Sequence, residues 1–81
     1  MLQRLELTNL LFRTFYVTGT VDKINKKYFL LINIKRENRC EILVDHNWFK
    51  INKKDLLILN QTIQILVKVS RYKKGYKLFR V

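Results

Sequence analysis

The last stretch of the sequence, residues 67–81, combines positive charge with a strand-like pattern. It contains six Lys or Arg residues and no Asp or Glu. Apolar residues alternate with these cations, as they do in a β-strand that has one charged face. A cationic surface of this kind binds phosphate groups, because each contact releases counterions that are condensed on a nucleic acid. We predict that this stretch forms a nucleic-acid-binding site. The residues that we assign to it are Lys68, Arg71, Tyr72, Lys73, Lys74, Lys77 and Arg80.

Two other groups of lysines fall in predicted connections, at residues 23–27 and 50–54. On a small barrel these connections and the C-terminal stretch could converge on one rim. Lys-rich loops also serve solubility alone. Acidic residues are scarce near the second group and the C-terminal stretch, however, and this favours binding to a polyanion. The members of the two groups that we add to the predicted site are Lys26, Lys27, Lys50, Lys53 and Lys54.

Aromatic residues at outward or loop positions are a second feature that favours nucleic-acid binding, because unpaired bases stack on exposed rings. Tyr72, which has a cation on each side, is the best candidate. Packing is the alternative for the others: Phe29 could lie under the N-terminal segment, and Trp48 or Phe49 could fill the open end of a barrel. The rings considered are Tyr16, Phe29, Trp48, Phe49, Tyr72 and Tyr76.

Composition points to the same class of partner. The 81 residues suffice for one small domain. Seventeen Lys and Arg against six Asp and Glu give a formal charge of +11, and this excess opposes folding through self-repulsion unless a polyanion screens it. Nucleic acid is the commonest such polyanion. No apolar run is long enough to span a bilayer, so we expect no membrane partner.

Catalytic and metal chemistry have little to work with. The chain has one Cys, one His and six scattered acids, with no paired carboxylates and no glycine-rich phosphate loop. Cys40 is predicted to be inert packing on an inward strand face, and one Cys with His46 cannot supply the ligands of a zinc site. We therefore expect no enzyme, no catalytic residues, no metal and no cofactor. The first residues resemble neither a secretory signal nor a transit peptide.

Period-two alternation predicts a series of β-strands. In the first, Phe15, Val17, Gly19 and Val21 point inward. The second strand is expected to place Leu30, Ile32 and Ile34 on one face, with Phe29, Leu31 and Asn33 on the other. The third places Cys40, Ile42 and Val44 inside, and the fourth Ile63, Ile65, Val67 and Val69. The predicted strands are 14–24, 28–35, 40–44, 62–72 and 76–81.

Residues 45–61 interrupt this rhythm and are predicted to form a loop with a short helix or turn. Three strands, an irregular connection and a final hairpin favour an all-β fold, a five-stranded Greek-key barrel of the oligonucleotide-binding (OB-fold) type. Gly19 would allow the bend of a barrel corner. An SH3-like barrel remains possible from periodicity alone. Residues 14–81 would form this domain, and residues 1–13 an N-terminal extension in which Leu2, Leu5, Leu10 and Leu11 line a helix or Leu5 and Leu7 an edge strand.

Several segments resemble a family. The sequence of residues 16–81 is similar to bacterial and plastid translation initiation factor one, a single OB-fold barrel. The resemblance implies that Lys50, Lys53 and Lys54 occupy the family's basic loop and that Tyr72, Lys74 and Arg80 take its RNA-facing positions. Leu57 stands where that family usually has arginine. The matching segments are GTV (19–21), CEILV (40–44), KINKKDLLIL (50–59), VSRY (69–72), KG (74–75) and FRV (79–81).

The resemblance implies an RNA-binding translation initiation factor that binds the small ribosomal subunit near its decoding (aminoacyl-tRNA) site. Its partners would be the small-subunit RNA, a neighbouring ribosomal protein and other initiation factors. The many Lys, Asn and Ile residues and the absence of Pro fit an adenine- and thymine-rich coding genome, as plastid and other organellar genomes often have. We therefore expect the protein in the plastid stroma, another organelle or a bacterial cytoplasm. We also expect it to be a monomer.

Two other functions suit the same barrel. One is a general single-stranded nucleic-acid-binding protein of replication or repair, with stacking platforms at Tyr16, Phe29 and Tyr72. The other is a structural protein of a ribonucleoprotein particle.

Overall fold

The computed structural model describes residues 6–81. Over that range the chain forms a short 3-10 helix, Glu6–Leu10, followed by five strands. All pairings between neighbouring strands are antiparallel. The strands are β1 (Thr14–Ile24), β2 (Tyr28–Arg36), β3 (Val44–Lys50), β4 (Thr62–Tyr72) and β5 (Gly75–Arg80).

The sheet has the strand order β3-β2-β1-β4-β5. The chain makes a meander from β1 to β3, then crosses over so that β4 pairs with β1. The two edge strands, β3 and β5, approach each other, and the side chain of Asn47 hydrogen-bonds to the backbone of Leu78 between them. The sheet is therefore a nearly closed barrel of the OB-fold-like kind, which confirms the predicted fold class.

Strand β1 follows its predicted alternation and explains one of the two glycines. Val17, Gly19 and Val21 are buried, and Phe15 packs partly against the core. A Cβ at Gly19 would lie 2.6 Å from Cγ of the fully buried Leu31. Glycine is required here because β2 passes too close for any side chain.

Strand β2 departs from its predicted alternation. Phe29 and Leu31, predicted to face outward, are fully buried, whereas Ile32 is only half-buried. The next fully buried residue is Ile34, three positions after Leu31. The pairing of β2 with β1 shifts in this region, where Asn33 has a φ of 54°. This β-bulge inserts one extra residue into β2. The residue numbers of inward side chains before and after it are therefore separated by an odd number, such as the three positions from Leu31 to Ile34, rather than by two.

Strand β3 lies later in the chain than predicted. Residues 40–44 were expected to form it, but they are mostly loop, and the strand begins at Val44. Cys40 is exposed rather than packed inside, Ile42 is half-buried, and Leu43 is buried although an outward position was predicted for it. The error came from the polar stretch around Asn47, which resembles a loop because a polar residue at an inward position breaks the apolar alternation.

The N-terminal segment completes the core. Leu7 and Leu10 of the 3-10 helix are buried in the main hydrophobic cluster, and Leu11 forms a parallel bridge with Val69. From the sequence, either a helix or an edge strand was predicted for this segment. In its described part, the structure has the 3-10 helix followed by this bridge. The predicted positions of Leu2 and Leu5 lie outside the described residues.

The β3–β4 loop comprises residues 51–61. A short helix or a turn was predicted for this connection, and the structure has turns. The short hairpin between β4 and β5 turns at Lys73 and Lys74 as predicted, with Tyr72 paired to Gly75. Lys73 has a φ of 53°, which suits the two-residue turns that match the twist of paired strands.

The close approach at Gly19 gives a test of the packing. We expect Gly19→Ala to lower the free energy of unfolding by about 1–3 kcal/mol, because the added methyl group overlaps Leu31 in a filled core. Gly75→Ala is the matched control, since a Cβ there meets nothing within 4 Å. Urea unfolding of both variants measures the difference, and equal stabilities would contradict the close packing of β1 on β2.

Candidate nucleic-acid interface

A groove of about 740 Å³ runs along the outside of the barrel where β3 and β5 approach each other. Its floor includes the buried Phe49 and Leu78. The walls come from the outward positions of β3 and β5, from the start of β2 and from the end of β4. Because Phe49 and Leu78 point inward, the alternation of each strand turns the adjacent side chains toward the groove.

Four aromatic rings line this groove and are exposed to solvent. Tyr28 and Trp48 lie on one side, and Tyr72 and Phe79 on the other. The rings of Tyr72 and Phe79 meet edge to face, with centroids 6.3 Å apart. Exposed rings in a shared groove are the surfaces on which unpaired bases stack.

Lysines lie directly beside the rings. The Nζ atom of Lys77 is 4.8 Å from the ring centroid of Tyr72 and 5.4 Å from that of Phe79. Lys73 Nζ is 5.3 Å from the Tyr72 centroid. Lys50 lines the opposite wall. The groove therefore offers flat apolar faces for bases and ammonium groups for the phosphates that connect them.

Arg80 lines the end of the groove but is engaged by the protein itself. Its Nη2 donates to Oδ1 of Asp55 at 3.1 Å, and its Nη1 donates to Oδ2 of the same carboxylate and to the Lys50 carbonyl oxygen. The Arg80 and Asp55 side chains are only 19% and 15% exposed. The hydrogen bond from Arg80, assisted by the backbone N–H of Asn52, lowers the pKa of Asp55 although its burial acts in the opposite direction.

The structure brings several predicted site residues together. Lys50, Tyr72, Lys77 and Arg80 line the groove. The turn that carries Lys26 and Lys27 adjoins the β3–β4 loop, because the Ile51 N–H donates to the Lys27 carbonyl at 2.8 Å. Lys53 and Lys54 are exposed in that loop, directly after Asn52, which lines the groove.

The other predicted site residues do not line the groove, although Lys73 lies beside one of its rings. Lys68 projects toward the N-terminal segment, with its Nζ 5.8 Å from the Phe12 ring centroid. Arg71 is paired with Tyr76 and alternates with Tyr72, so it points to the other side of β4. Lys73 and Lys74 occupy the hairpin turn, where Lys73 reaches Tyr72 and Lys74 does not line the groove.

Two of the proposed stacking rings are part of the core. Phe29 and Phe49 are buried, with ring centroids 5.7 Å apart, so the platform suggested for Phe29 is wrong. Tyr76 is half-buried against the core, and Tyr16 is exposed but lies outside the groove. The bulge in β2 explains the misplacement of Phe29, and the later start of β3 explains that of Phe49.

Sequence reasoning also missed two rings of the groove, Tyr28 and Phe79. For Phe79 a signal was present, because alternation from the inward Leu78 places it outward. For Tyr28 the wrong face assignment of β2 concealed its position.

The described side chains, those of residues 7–81, include no group of three His, Cys, Asp or Glu residues that could hold a metal ion. In the same range no helix is long and apolar enough to cross a membrane.

No family model, no curated protein and no solved structure matches this chain. The class of the protein is therefore assigned from its structure alone: it is an OB-fold-like barrel with an aromatic and cationic groove. Membership of the initiation factor one family remains a prediction from the sequence.

The ion pair at the end of the groove makes stability depend on pH. We expect Asp55→Asn to lower the free energy of unfolding by about 2 kcal/mol at neutral pH, because charge-assisted hydrogen bonds to Arg80 are lost. The pKa of Asp55 is depressed in the folded state. Its contribution is therefore complete above the unfolded pKa and disappears as the pH falls through the folded value.

Urea unfolding across the acid range checks this, and the two stability curves should converge as the pH falls below about 4. Asp22→Asn is the matched control, because Asp22 is exposed and its replacement removes the same charge. Equal losses from both substitutions would contradict a structural role for Asp55.

Proposed function

We propose that the protein binds single-stranded RNA in the groove between β3 and β5. One observation carries this proposal: four exposed aromatic rings and two lysines, Lys50 and Lys77, line the same groove. Among OB-fold barrels, the surface around strands 2 and 3 and the adjoining loops is the usual oligonucleotide site. The groove lies in that position, next to the β1–β2 turn.

Stacking accounts for selection of an unpaired strand. The bases of a duplex stack on each other, so their faces are not available to protein rings, whereas single-stranded bases can be splayed onto them. Each base stacked on an aromatic side chain contributes about 1–3 kcal/mol. Tyr28 and Trp48 face Tyr72 and Phe79 across the groove, so a strand lying along it has rings on both sides.

Electrostatics accounts for affinity. The formal charge of +11 attracts any polyanion, and lysines on the groove wall and in the two adjoining loops lie where a bound strand would pass. For single strands the logarithm of the binding constant falls with the logarithm of salt concentration by about 0.7 for each phosphate neutralised. Affinity is therefore strongly salt-dependent in this proposal.

The groove is tested with a labelled single-stranded RNA of about 10 nucleotides. We expect binding to quench Trp48 fluorescence, and Tyr72→Ala and Phe79→Ala each to cost about 1–3 kcal/mol of binding free energy. Tyr16→Ala is the matched control, since this ring is equally exposed but lies outside the groove. Equal losses at position 16, or equal affinity for a duplex of the same sequence, would contradict the proposal.

A second candidate, a translation initiation factor that binds the small ribosomal subunit near its decoding site, is favoured by the β3–β4 loop. The segment of residues 50–59 that resembles initiation factor one runs from the last residue of β3 into the β3–β4 loop beside the groove, and Lys53 and Lys54 are exposed there. Such a loop can reach structured RNA while the groove holds a flanking unpaired strand.

Purified small subunits test this second candidate. We expect saturable binding that competes with tRNA at the decoding site and weakens about tenfold or more in the double variant Lys53→Ala and Lys54→Ala, because two phosphate contacts are lost. The control replaces Arg13 and Lys35 by Ala, which removes the same charge outside the groove and loop. Binding to free oligonucleotides without any binding to subunits would exclude this candidate.

A further inference from the structure

The β3–β4 loop exposes three aliphatic side chains within four residues. Leu56 is 89% exposed, Ile58 64% and Leu59 54%; we call these three residues the apolar tip. Single exposed apolar residues are ordinary on protein surfaces, but a contiguous group marks an interaction site. The RNA groove makes no use of the apolar tip, since none of its residues lines that groove.

The loop is anchored immediately before the tip. Asp55 accepts two hydrogen bonds from the Arg80 guanidinium and another from the Asn52 N–H at 2.8 Å. Leu57, between two members of the tip, packs against the hydrophobic core. These contacts hold the N-terminal half of the loop against the barrel while leaving Leu56 in solvent.

The loop is anchored again after the tip. The Asn60 N–H donates to the Val21 carbonyl at 2.7 Å, and the Val21 N–H donates to the Gln61 carbonyl at 2.9 Å. The Gln61 N–H donates to the Ile58 carbonyl at 3.2 Å. Bracing at both ends means that little conformational entropy remains to be lost on binding, which is the property of a preorganised docking surface.

The charge around the tip is positive. Lys53 and Lys54 precede it and are exposed. Asp55 is the acidic residue of the segment 50–61, and its charge is neutralised by Arg80. A complementary surface therefore combines an apolar hollow with a carboxylate rim, because such a rim gains from the two lysines while the hollow covers the aliphatic side chains.

We propose that the apolar tip docks into a protein partner that offers an apolar hollow rimmed by Asp or Glu. This interaction is separate from RNA binding in the groove. Leu and Ile have neither a planar face nor a hydrogen-bond donor with which to recognise bases. A second copy of the chain would bring like charges together at Lys53 and Lys54. The tip also lacks the Trp and Tyr residues that favour a lipid interface.

Photocrosslinking of the full chain tests the proposal. Leu56 is replaced by p-benzoylphenylalanine, the protein is irradiated in extract from its source cells, and the attached peptide is identified by mass spectrometry. We expect one protein, attached at an apolar hollow that carries carboxylates. The same photoreactive residue in place of Phe12, which is exposed outside the loop, is the control and should not give this product.

Two variants establish the chemistry of the contact. The charge reversal Lys53→Glu with Lys54→Glu should lower the yield of the Leu56 product by about tenfold or more, because it repels an acidic rim. Unlabelled protein should compete with crosslinking, whereas the triple variant Leu56→Ser, Ile58→Ser and Leu59→Ser should not compete. These substitutions are at exposed positions, so circular dichroism should confirm an intact fold.

The outcomes separate this proposal from the RNA groove. The triple Ser variant should retain RNA affinity within about twofold, while Tyr72→Ala should retain the Leu56 crosslink. Attachment only to RNA, to lipid or to a second copy of the chain would overturn the protein-docking proposal. So would equal products from positions 12 and 56, or no product at all.

Discussion

The side-chain amide of Asn47 joins the two edge strands of the barrel, and the rest of the structure depends on this contact. Its Nδ2 donates to the Leu78 carbonyl at 3.0 Å, and its Oδ1 accepts from the Leu78 N–H at 3.3 Å. The amide thus takes the place of the backbone of a pairing strand. Asn47 is only 2% exposed, and each buried backbone group left without a partner would cost about 1–3 kcal/mol. The Asn47 amide therefore joins the edge strands inside the core, and Arg80 joins them again through the Lys50 carbonyl. This closure covers edges that would otherwise invite pairing with other chains.

The candidate site follows from the same closure. When Asn47 and Leu78 meet inside the barrel, the residues next to them in sequence must face outward, because side chains alternate along a strand. Trp48 on β3 and both Lys77 and Phe79 on β5 are these neighbours, and they line opposite walls of the groove. A substitution that opened the barrel would therefore also separate the two walls, so the stability of the closure and the geometry of the groove cannot be varied independently.

Alternation predicted the parts of the fold in which each residue keeps to its own face. Strands β1 and β4 have their predicted inward residues, and the final hairpin turns where it was predicted to turn. Prediction failed where one residue broke the period. The bulge at Asn33 changed the faces of β2 before it, where Phe29 and Leu31 are buried, but not at Ile34 after it. The inward amide of Asn47 made most of β3 resemble a loop. Both features are fixed by contacts with distant strands, which local pattern does not contain. The cationic character of the site was readable from the sequence, whereas the groove was not, because its two walls are separated by most of the β3–β4 loop and by β4.

The cations of the C-terminal stretch have divided roles, although their spacing makes them look alike. Arg80 holds the β3–β4 loop through Asp55, so it orients Lys53, Lys54 and the apolar tip. Lys77 lies free of any carboxylate beside two exposed rings. Over residues 7–81, Arg39 and Arg80 are the Lys or Arg side chains with an acidic partner. Most of the positive charge is thus unpaired within the fold, and its mutual repulsion is relieved only by an external anion. A polyanion that bound the folded state more tightly than the unfolded chain would therefore also stabilise the barrel, because its binding and folding would be thermodynamically coupled.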